Sequence, residues 1–264
     1  QANATDAETI CKNIGDGWRL PTASELLMSY VYENALGGNA LDGSYYNSQN
    51  IYGWYHNWTG NYWSSSYYTA AGSATRFSLE LSTGFPYSES VSDNKYFRCV
   101  RDNSKSGTKY PYLIKSTEGV TVVSRDANGG ADSSVLLSSG ESPATTNKVA
   151  PKFQIENTSS TGKTWEQARD ICAGKGNNWR LPTQREMYLA LSLGASVLSN
   201  NNQGFGSSTT WTGNGFQEIS GVHWTLTDRD GNYWLVGENS AVFGAWPQGG
   251  AATWARYRCV RTVE

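Results

Sequence analysis

Apolar residues recur with the period of a helix at two places, each directly after a Pro-Thr pair. Thr22 is followed three residues later by Glu25, and Thr183 stands in the same relation to Glu186. Thr can accept a hydrogen bond from the amide three residues on while Glu reaches back to the Thr amide, so a helix is predicted to begin at each Thr. The apolar face of each helix is predicted to comprise Leu26, Leu27, Tyr30 and Val31, and Met187, Ala190, Leu191 and Leu193.

The remaining regular segments come in two similar sets. An earlier helix is predicted over residues 4–12 and over residues 165–173, and each carries a cysteine. Short segments with Gly-containing turns between them predict strands at 62–68, 75–81, 86–90 and 96–101, then at 223–227, 233–236, 241–246 and 256–261. Two helices followed by an antiparallel meander predict an α+β domain, present twice.

The two sets are copies of one sequence. Trp18 to Thr22 recurs as Trp179 to Thr183, an offset of 179 − 18 = 161 residues, and Cys11 corresponds to Cys172 at the same offset. Arg98 to Arg101 recurs near the end of the chain at 258 − 98 = 160. An offset that changes by one residue over this distance indicates duplication of a whole domain. We expect a first domain over 1–102 and a second over 152–264.

The segment between the copies, residues 103–151, is rich in Ser, Gly, Asn and Thr and is predicted to be a linker. Within it, residues 112–115 and 120–123 flank a Thr-Glu-Gly turn and predict a β-hairpin. We expect this hairpin to pack against one of the domains.

Composition narrows the class of protein. The 264 residues suffice for two domains. Only 17% are charged and the formal net charge is −2, so neither a nucleic-acid partner nor a polybasic membrane contact is expected. The apolar stretches are too short to span a bilayer. The first residue is Gln1, which we interpret as a processed or truncated form.

Four cysteines in two separated pairs fit an oxidising, extracellular compartment, and four cysteines allow three pairings. Aromatic residues make up 13% of the chain, with 11 Trp and 16 Tyr, beside 28 Gly. That mixture is typical of loop-rich extracellular binding domains.

Three motifs occur in the same order in the chain: Trp-Arg-Leu-Pro-Thr before a helix, Tyr-Trp-Ser-Ser after a long loop, and Arg-Cys-Val-Arg in the last strand. Together they resemble a bacterial C-type-lectin-like family found at the C-terminus of collagen-like adhesins and in fimbrial tip subunits of Bacteroidales. The resemblance covers both copies, about four-fifths of the chain. It implies two C-type-lectin-like domains, each closed by a disulfide, with Cys11 paired to Cys99 and Cys172 paired to Cys259.

The copies differ at their starts. The second has a predicted strand at 152–156 before its helix, whereas the first begins almost at the helix. Either the strand of the first copy has been cut away or the hairpin at 112–123 supplies it; we favour truncation.

Catalysis is not expected. Acid-base or nucleophilic chemistry needs a poised side chain, and the only two histidines, His56 and His223, do not correspond between the copies. Formylglycine-generating enzymes use a distantly related fold with reactive thiols, whereas the cysteines here are expected in disulfides. Arg19 and Arg98 are expected to be structural. The same is expected of the tryptophans of the motifs, which are Trp18, Trp63, Trp179 and Trp224.

No cofactor or metal is predicted. The calcium-binding sequence of sugar-binding C-type lectins, of the Glu-Pro-Asn kind, does not occur in the chain. Asp228, Asp230 and Asn232 alternate like calcium ligands around Gly231, but no bidentate Glu follows at the spacing of an EF-hand. We interpret this segment as a β-turn between two strands.

Aromatic side chains are the main functional signal. Rings crowd the long loop before the first meander, and fewer occur in the second long loop; the candidate ligand-binding residues are Tyr46, Tyr52, Trp54, Tyr55 and Trp58, with Trp211 and Phe216 in the second copy. Planar rings stack on sugar faces and anchor protein partners. The alternative is that these rings pack onto their own domain as a small additional core.

The leading hypothesis is a tandem adhesin on a bacterial surface or fimbrial tip that binds glycans or glycoproteins of host or neighbouring cells, with fimbrial subunits as further partners. The first alternative is a structural or assembly module of a surface filament that binds no sugar. The second is an enzyme of the formylglycine-generating type.

Overall fold

The structure, a computed structural model, describes residues 1–32, 60–67, 74–81, 84–101, 111–115, 120–124, 136–156, 160–194, 222–229, 232–237, 244–247 and 255–263. The chain forms two compact units; in the described residues unit 1 runs to residue 101 and unit 2 begins at residue 111. The fold is α+β, with mostly antiparallel sheets and few helices, as predicted. None of the described helices is long and apolar enough to cross a membrane.

Unit 1 packs two helices against a three-stranded antiparallel sheet of order β1-β2-β3. Its elements are α1 (Ala4–Ile14), α2 (Ala23–Val31), β1 (Asn61–Tyr67), β2 (Thr75–Glu80) and β3 (Phe85–Ser90).

Unit 2 contains two five-stranded sheets, of order β11-β10-β9-β12-β7 and β4-β5-β6-β13-β8. Its elements are β4 (Tyr112–Lys115), β5 (Val120–Val123), α3 (Pro143–Thr146), β6 (Lys152–Ile155), β7 (Ser160–Lys163), α4 (Trp165–Gly174), β8 (Trp179–Arg180), α5 (Gln184–Gly194), β9 (Val222–Arg229), β10 (Asn232–Gly237), β11 (Gly244–Pro247), β12 (Ala255–Tyr257) and β13 (Val260–Thr262).

Both predicted capping boxes are confirmed. The Thr22 hydroxyl accepts from the Glu25 amide at 3.2 Å, and the Glu25 carboxylate accepts from the Thr22 amide at 2.7 Å. In α5 the corresponding distances between Thr183 and Glu186 are 3.1 Å and 2.9 Å. These bonds satisfy amides that the first turn of a helix leaves without intrahelical partners.

The disulfides join Cys11 to Cys99 and Cys172 to Cys259, the pairs that the family resemblance implies. Cys11, Cys172 and Cys259 are fully buried. Each bond ties the first helix of its unit to the chain segment after the meander, and each lies within a hydrophobic core. The disulfides therefore close the two ends of each unit over its sheet.

The prediction of a last strand in unit 1, over residues 96–101, is wrong. Lys95, Tyr96 and Val100 form only isolated bridges, to Ala2, Tyr62 and Arg19 respectively. Each of these partners offers a single pairing, which is too little to sustain a continuous strand.

The corresponding segment of unit 2 forms two short strands instead of the single one predicted over 256–261. The break falls at Arg258 and Cys259, where the Cys259 amide donates to the Glu156 carboxylate at 2.9 Å. β12 also lies parallel to β9, through Arg256 and His223, so the meander is not antiparallel throughout. β12 lies between β9 and β7 in one sheet, whereas β13 lies between β6 and β8 in the other, so the break at Arg258 and Cys259 is where the chain passes from one sheet to the other.

The hairpin predicted between the copies belongs to unit 2. β4 and β5 pair antiparallel, and β5 pairs with β6 through Val122 and Phe153. The following segment contacts α5 and β9 through Asn147, whose side chain accepts from the Thr227 hydroxyl at 2.8 Å and donates to Gln184 at 3.0 Å. The hairpin thus extends a sheet of the second unit.

Candidate functional site

The Trp-Arg-Leu-Pro-Thr motif fixes the start of the helix that leads into the long loop of unit 1. The guanidinium of Arg19 donates to both carboxylate oxygens of Glu25 at 2.7 Å. The Pro21 carbonyl accepts from the Ser65 amide at 2.7 Å, which joins the motif to β1. Arg19 is therefore structural, as predicted.

Unit 2 repeats this arrangement with deeper burial. Arg180 donates to both oxygens of Glu186 at 2.6 Å and 2.7 Å, and the Ala150 amide adds a bond at 3.0 Å. The Glu186 side chain is 0% exposed, whereas that of Glu25 is 38% exposed. The same ion pair is thus a surface feature in one unit and an interior feature in the other.

Two of the motif tryptophans are core residues. Trp63 and Trp224 are buried, and their indole N–H groups donate to the Ala2 carbonyl at 2.9 Å and the Lys163 carbonyl at 2.8 Å. These bonds hold the first strand after each long loop against the chain that precedes the first helix. Their structural role is confirmed.

The other two motif tryptophans, Trp18 and Trp179, are half-buried beneath arginines. The Arg101 guanidinium carbon lies 5.2 Å from the Trp18 ring centroid, and that of Arg261 lies 5.1 Å from Trp179. A cation over an indole face is attractive. These contacts place the ends of the motif against the last segment of each unit, again in a structural role.

The predicted long loop of unit 1 falls in residues 33–59, which lie outside the described residues, but the two stems on either side of it are described. The first is Tyr32, which follows α2; its amide donates to the Met28 carbonyl at 3.0 Å, and burial raises the pKa of its hydroxyl. The second is Gly60, with φ of 96°, where a Cβ would lie 2.7 Å from the ring of Tyr96. Both the positive φ and the lack of room for a Cβ beside the Tyr96 ring favour Gly at this second stem.

Tyr96 is an aromatic residue beside the second stem that the sequence analysis did not select. Its ring stacks on Tyr62 with centroids 5.5 Å apart and is 38% exposed, whereas Tyr62 is buried. The guanidinium of Arg98 lies 5.6 Å from the Tyr62 centroid. The counterpart of Tyr96 is Arg256, and that difference between the copies could have indicated a position outside the core.

The second stem of the unit 2 loop, residues 195–221, has different chemistry. His223 and Arg256 take the places of Tyr62 and Tyr96, with the same parallel pairing. His223 is fully buried in β9. The two copies therefore share the scaffold at the loop stem and differ in the side chains there.

The residues predicted to bind a ligand lie outside the described residues: Tyr46, Tyr52, Trp54, Tyr55, Trp58, Trp211 and Phe216. The same holds for His56. What the structure describes is the scaffold on which the two long loops begin and end.

The calcium-like segment is described only at its two ends: Asp228 lies in β9, and Asn232 at the start of β10 pairs with Arg229. The turn predicted at residues 230–231 lies outside the described residues. Within the described ranges no group of three or more His, Cys, Asp or Glu side chains could hold a metal ion.

Two ion-paired carboxylates of unit 1, Glu25 and Glu8, make its stability depend on pH. Burial alone would raise the pKa of Glu25, but hydrogen bonds from Arg19 and Thr22, with the charge of Arg19, outweigh burial and lower it. Arg76 and Lys12 likewise lower the pKa of Glu8 against the effect of burial. A lowered folded-state pKa stabilises the fold above the unfolded-state pKa, and this stabilisation is lost as pH falls through the folded-state value.

We therefore expect the melting temperature of unit 1 to fall as the pH drops below about 4.3, the ordinary pKa of Glu. Thermal melts between pH 7 and pH 2.5 measure this effect. The E25Q variant should be less stable at pH 7 and should lose less on acidification. An equal acid-induced loss in the variant and the parent protein would contradict this assignment.

Comparison of the chain with models of protein families, with curated proteins and with solved structures finds no match.

Proposed function

We propose that the chain is an extracellular adhesin of C-type-lectin-like type that binds glycans or glycoproteins through its long loops. The observation that carries the proposal is the contrast between a conserved scaffold and divergent loops within one chain. Three features recur in both units: the arginine that donates to both oxygens of a glutamate, the tryptophan indole that donates to a backbone carbonyl, and the disulfide. The loops between the same two stems differ in sequence. A scaffold that repeats while its loops vary is typical of recognition domains.

The first unit is our choice for the principal binding site. Its loop contains Tyr45, Tyr46, Tyr52, Trp54, Tyr55 and Trp58. The described scaffold adds Tyr96, a partly exposed ring next to the stem. Aromatic rings give a large contact area at low entropic cost and stack on the apolar faces of sugars. Bacterial surfaces and fimbrial tips are the proposed location, and two disulfides support an oxidising environment.

A structural or assembly module of a surface filament is the second candidate. The observation in its favour is β4, the end strand of its sheet in the described part of unit 2, whose Ile114 is 47% exposed. An apolar side chain on an edge strand can pair with another chain. For the formylglycine-generating type of enzyme, all four cysteines form disulfides, which leaves no thiol for that chemistry, and we do not propose an enzyme.

Binding of the intact chain to a panel of glycans and extracellular-matrix glycoproteins, with calcium and with a chelator, tests the proposal. We expect saturable binding that persists in the chelator, because no metal site is predicted. Binding lost in the chelator would point to a calcium-dependent lectin instead. Failure of well-folded protein to bind anything on the panel would favour the structural module and make filament subunits the next partners to test.

A further inference from the structure

The two units differ in how the last segment of each is paired. In unit 2, β13 has a neighbour on both sides, and its Val260 pairs with Arg180 of β8 and with Ile155 of β6. Val100 is the counterpart of Val260 at the offset of 160 residues. It pairs with Arg19, and no other described residue pairs with it. One side of this segment is therefore covered by a strand in unit 2 and not by any described residue in unit 1.

The uncovered side of the segment in unit 1 presents backbone hydrogen-bonding groups. The Arg19 amide donates to the Val100 carbonyl at 2.9 Å, and the Val100 amide donates to the Arg19 carbonyl at 2.8 Å. The backbone groups of consecutive strand residues point to opposite sides, so those of Cys99 and Arg101 point away from Arg19. Nothing in the described part of the chain forms a backbone hydrogen bond with either residue. We call this side of residues 99–101 the open edge of unit 1.

The strand β6 shows what chemistry fits such an edge. Glu156, the residue after β6, donates its amide to the Cys259 carbonyl at 3.1 Å and accepts from the Cys259 amide with its carboxylate at 2.9 Å. Within β6, the Gln154 side chain accepts from the Nε of Arg261 at 2.8 Å. The open edge of unit 1 repeats these two residue types, a cysteine and then an arginine two positions later. A cationic side chain and a backbone donor complement an acidic residue.

Burial shows what a strand at this edge would gain. In unit 2 the apolar side chains of β6, Phe153 and Ile155, are buried, and so are Cys259 and Val260 beside them. The counterparts of Cys259 and Val260 in unit 1 are only half-buried. Removal of apolar surface from water contributes roughly 25 cal/mol per Å². A strand with apolar side chains at alternate positions would therefore be stabilised at the open edge.

A second copy of the chain is a poor source of this strand. The pattern of Phe, any residue, an aliphatic residue and Glu occurs at residues 77–80 and 153–156. The first segment lies in β2, between β1 and β3, and the second lies in and directly after β6, between β5 and β13. A second copy could donate either segment only by unfolding its own sheet. A different polypeptide is therefore the better source.

We propose that unit 1 binds an extended segment of a second polypeptide by strand addition at its open edge, residues 99–101. The bound strand runs antiparallel to these residues, as β6 does to β13. Its pattern is apolar, polar, apolar and then Glu, with the second apolar residue opposite Val100 and the Glu carboxylate at the Cys99 amide. This surface is separate from the long loops, and the proposal does not rest on sugar binding.

Nuclear magnetic resonance of the full, disulfide-bonded chain with a synthetic peptide tests the proposal. The peptide has the sequence of residues 151–157, Pro-Lys-Phe-Gln-Ile-Glu-Asn. We expect saturable shifts of the Cys99 and Arg101 amides, and at a peptide concentration about ten times the Kd their hydrogen exchange should slow about tenfold. The amides of Cys259 and Arg261, which β6 already covers, are the matched control and should change little.

Two N-methylated peptides separate strand pairing from adhesion of an apolar peptide. Methylation of the Gln amide, which faces the open edge in the proposed register, should abolish binding. Methylation of the Ile amide, which faces the other way, toward β5 in unit 2, should leave the Kd within about twofold. Replacement of the peptide Glu by Ala should raise the Kd about tenfold, because a hydrogen bond to a charged group is lost. Equal binding of the two methylated peptides overturns the proposal.

Two further outcomes also overturn it. The first is slow exchange of the Cys99 and Arg101 amides before any peptide is added, together with a dimer in sedimentation equilibrium, which would make a second copy the occupant. The second concerns weak binding: if the shifts do not saturate, the peptide is joined to Gln1 through a flexible linker, which raises its effective concentration to the millimolar range. Unchanged exchange at residues 99 and 101 in the joined protein contradicts strand addition.

Discussion

Replacing Glu186 by Ala lowers the free energy of unfolding of unit 2 by about 3–5 kcal/mol, because removal of one partner leaves a buried charge without compensation. The substitution removes the acceptor of three donors at once: the Arg180 guanidinium, the Thr183 amide and the Ala150 amide. Urea denaturation gives the total loss. Hydrogen exchange of peptides from α5 assigns the loss to unit 2.

The matched control is Glu25, which makes the same fork and the same helix cap in unit 1 but is partly exposed. For E25A we expect a loss of about 1–2 kcal/mol, the usual cost of a lost cap and an exposed ion pair. Equal losses in E186A and E25A would contradict the claim that burial decides the strength of this interaction.

Removal of either disulfide should have the largest effect on its own unit. The bonded cysteines are 88 and 87 residues apart, and closure of such a loop stabilises the fold by about 4–5 kcal/mol on the chain-entropy model. The double variants C11A/C99A and C172A/C259A should each lose about this amount in urea denaturation. Hydrogen exchange should place the loss in unit 1 for the first variant and in unit 2 for the second. A loss below about 1 kcal/mol in either would contradict the role of the bond as the closure of its unit.

Local chemistry explains which parts of the fold could be predicted from the sequence. The starts of α2 and α5 depend on Thr and Glu three residues apart, so each could be predicted from a short segment. The strands of the meander alternate with clear turns, and most lie within a residue or two of their predicted bounds.

Interactions between distant segments account for what could not be predicted. Whether residues 96–101 form a strand depends on how many neighbours pair with them, and Ala2, Arg19 and Tyr62 come from three different parts of unit 1. The parallel pairing of Arg256 with His223 has the same origin. The sequence pattern of the last segment of each unit therefore does not indicate which distant residues pair with it.

The candidate site was predictable only in part. Crowding of aromatic residues identifies the loop at 33–59, and the scaffold fixes both of its stems. Tyr96 was missed because a single Tyr in a strand-like segment has the same pattern as a core residue.

The most direct test of the binding proposal compares two loop variants of the full chain against the strongest ligand found on the panel. W54A/W58A removes two rings from the loop of unit 1, and W211A/F216A removes two from the loop of unit 2. The proposal predicts that the first variant raises the Kd at least about tenfold, equivalent to about 1.4 kcal/mol, with an unchanged melting temperature, while the second changes it less than about twofold. An unchanged Kd in W54A/W58A would contradict the claim that the aromatic loop of unit 1 binds the ligand.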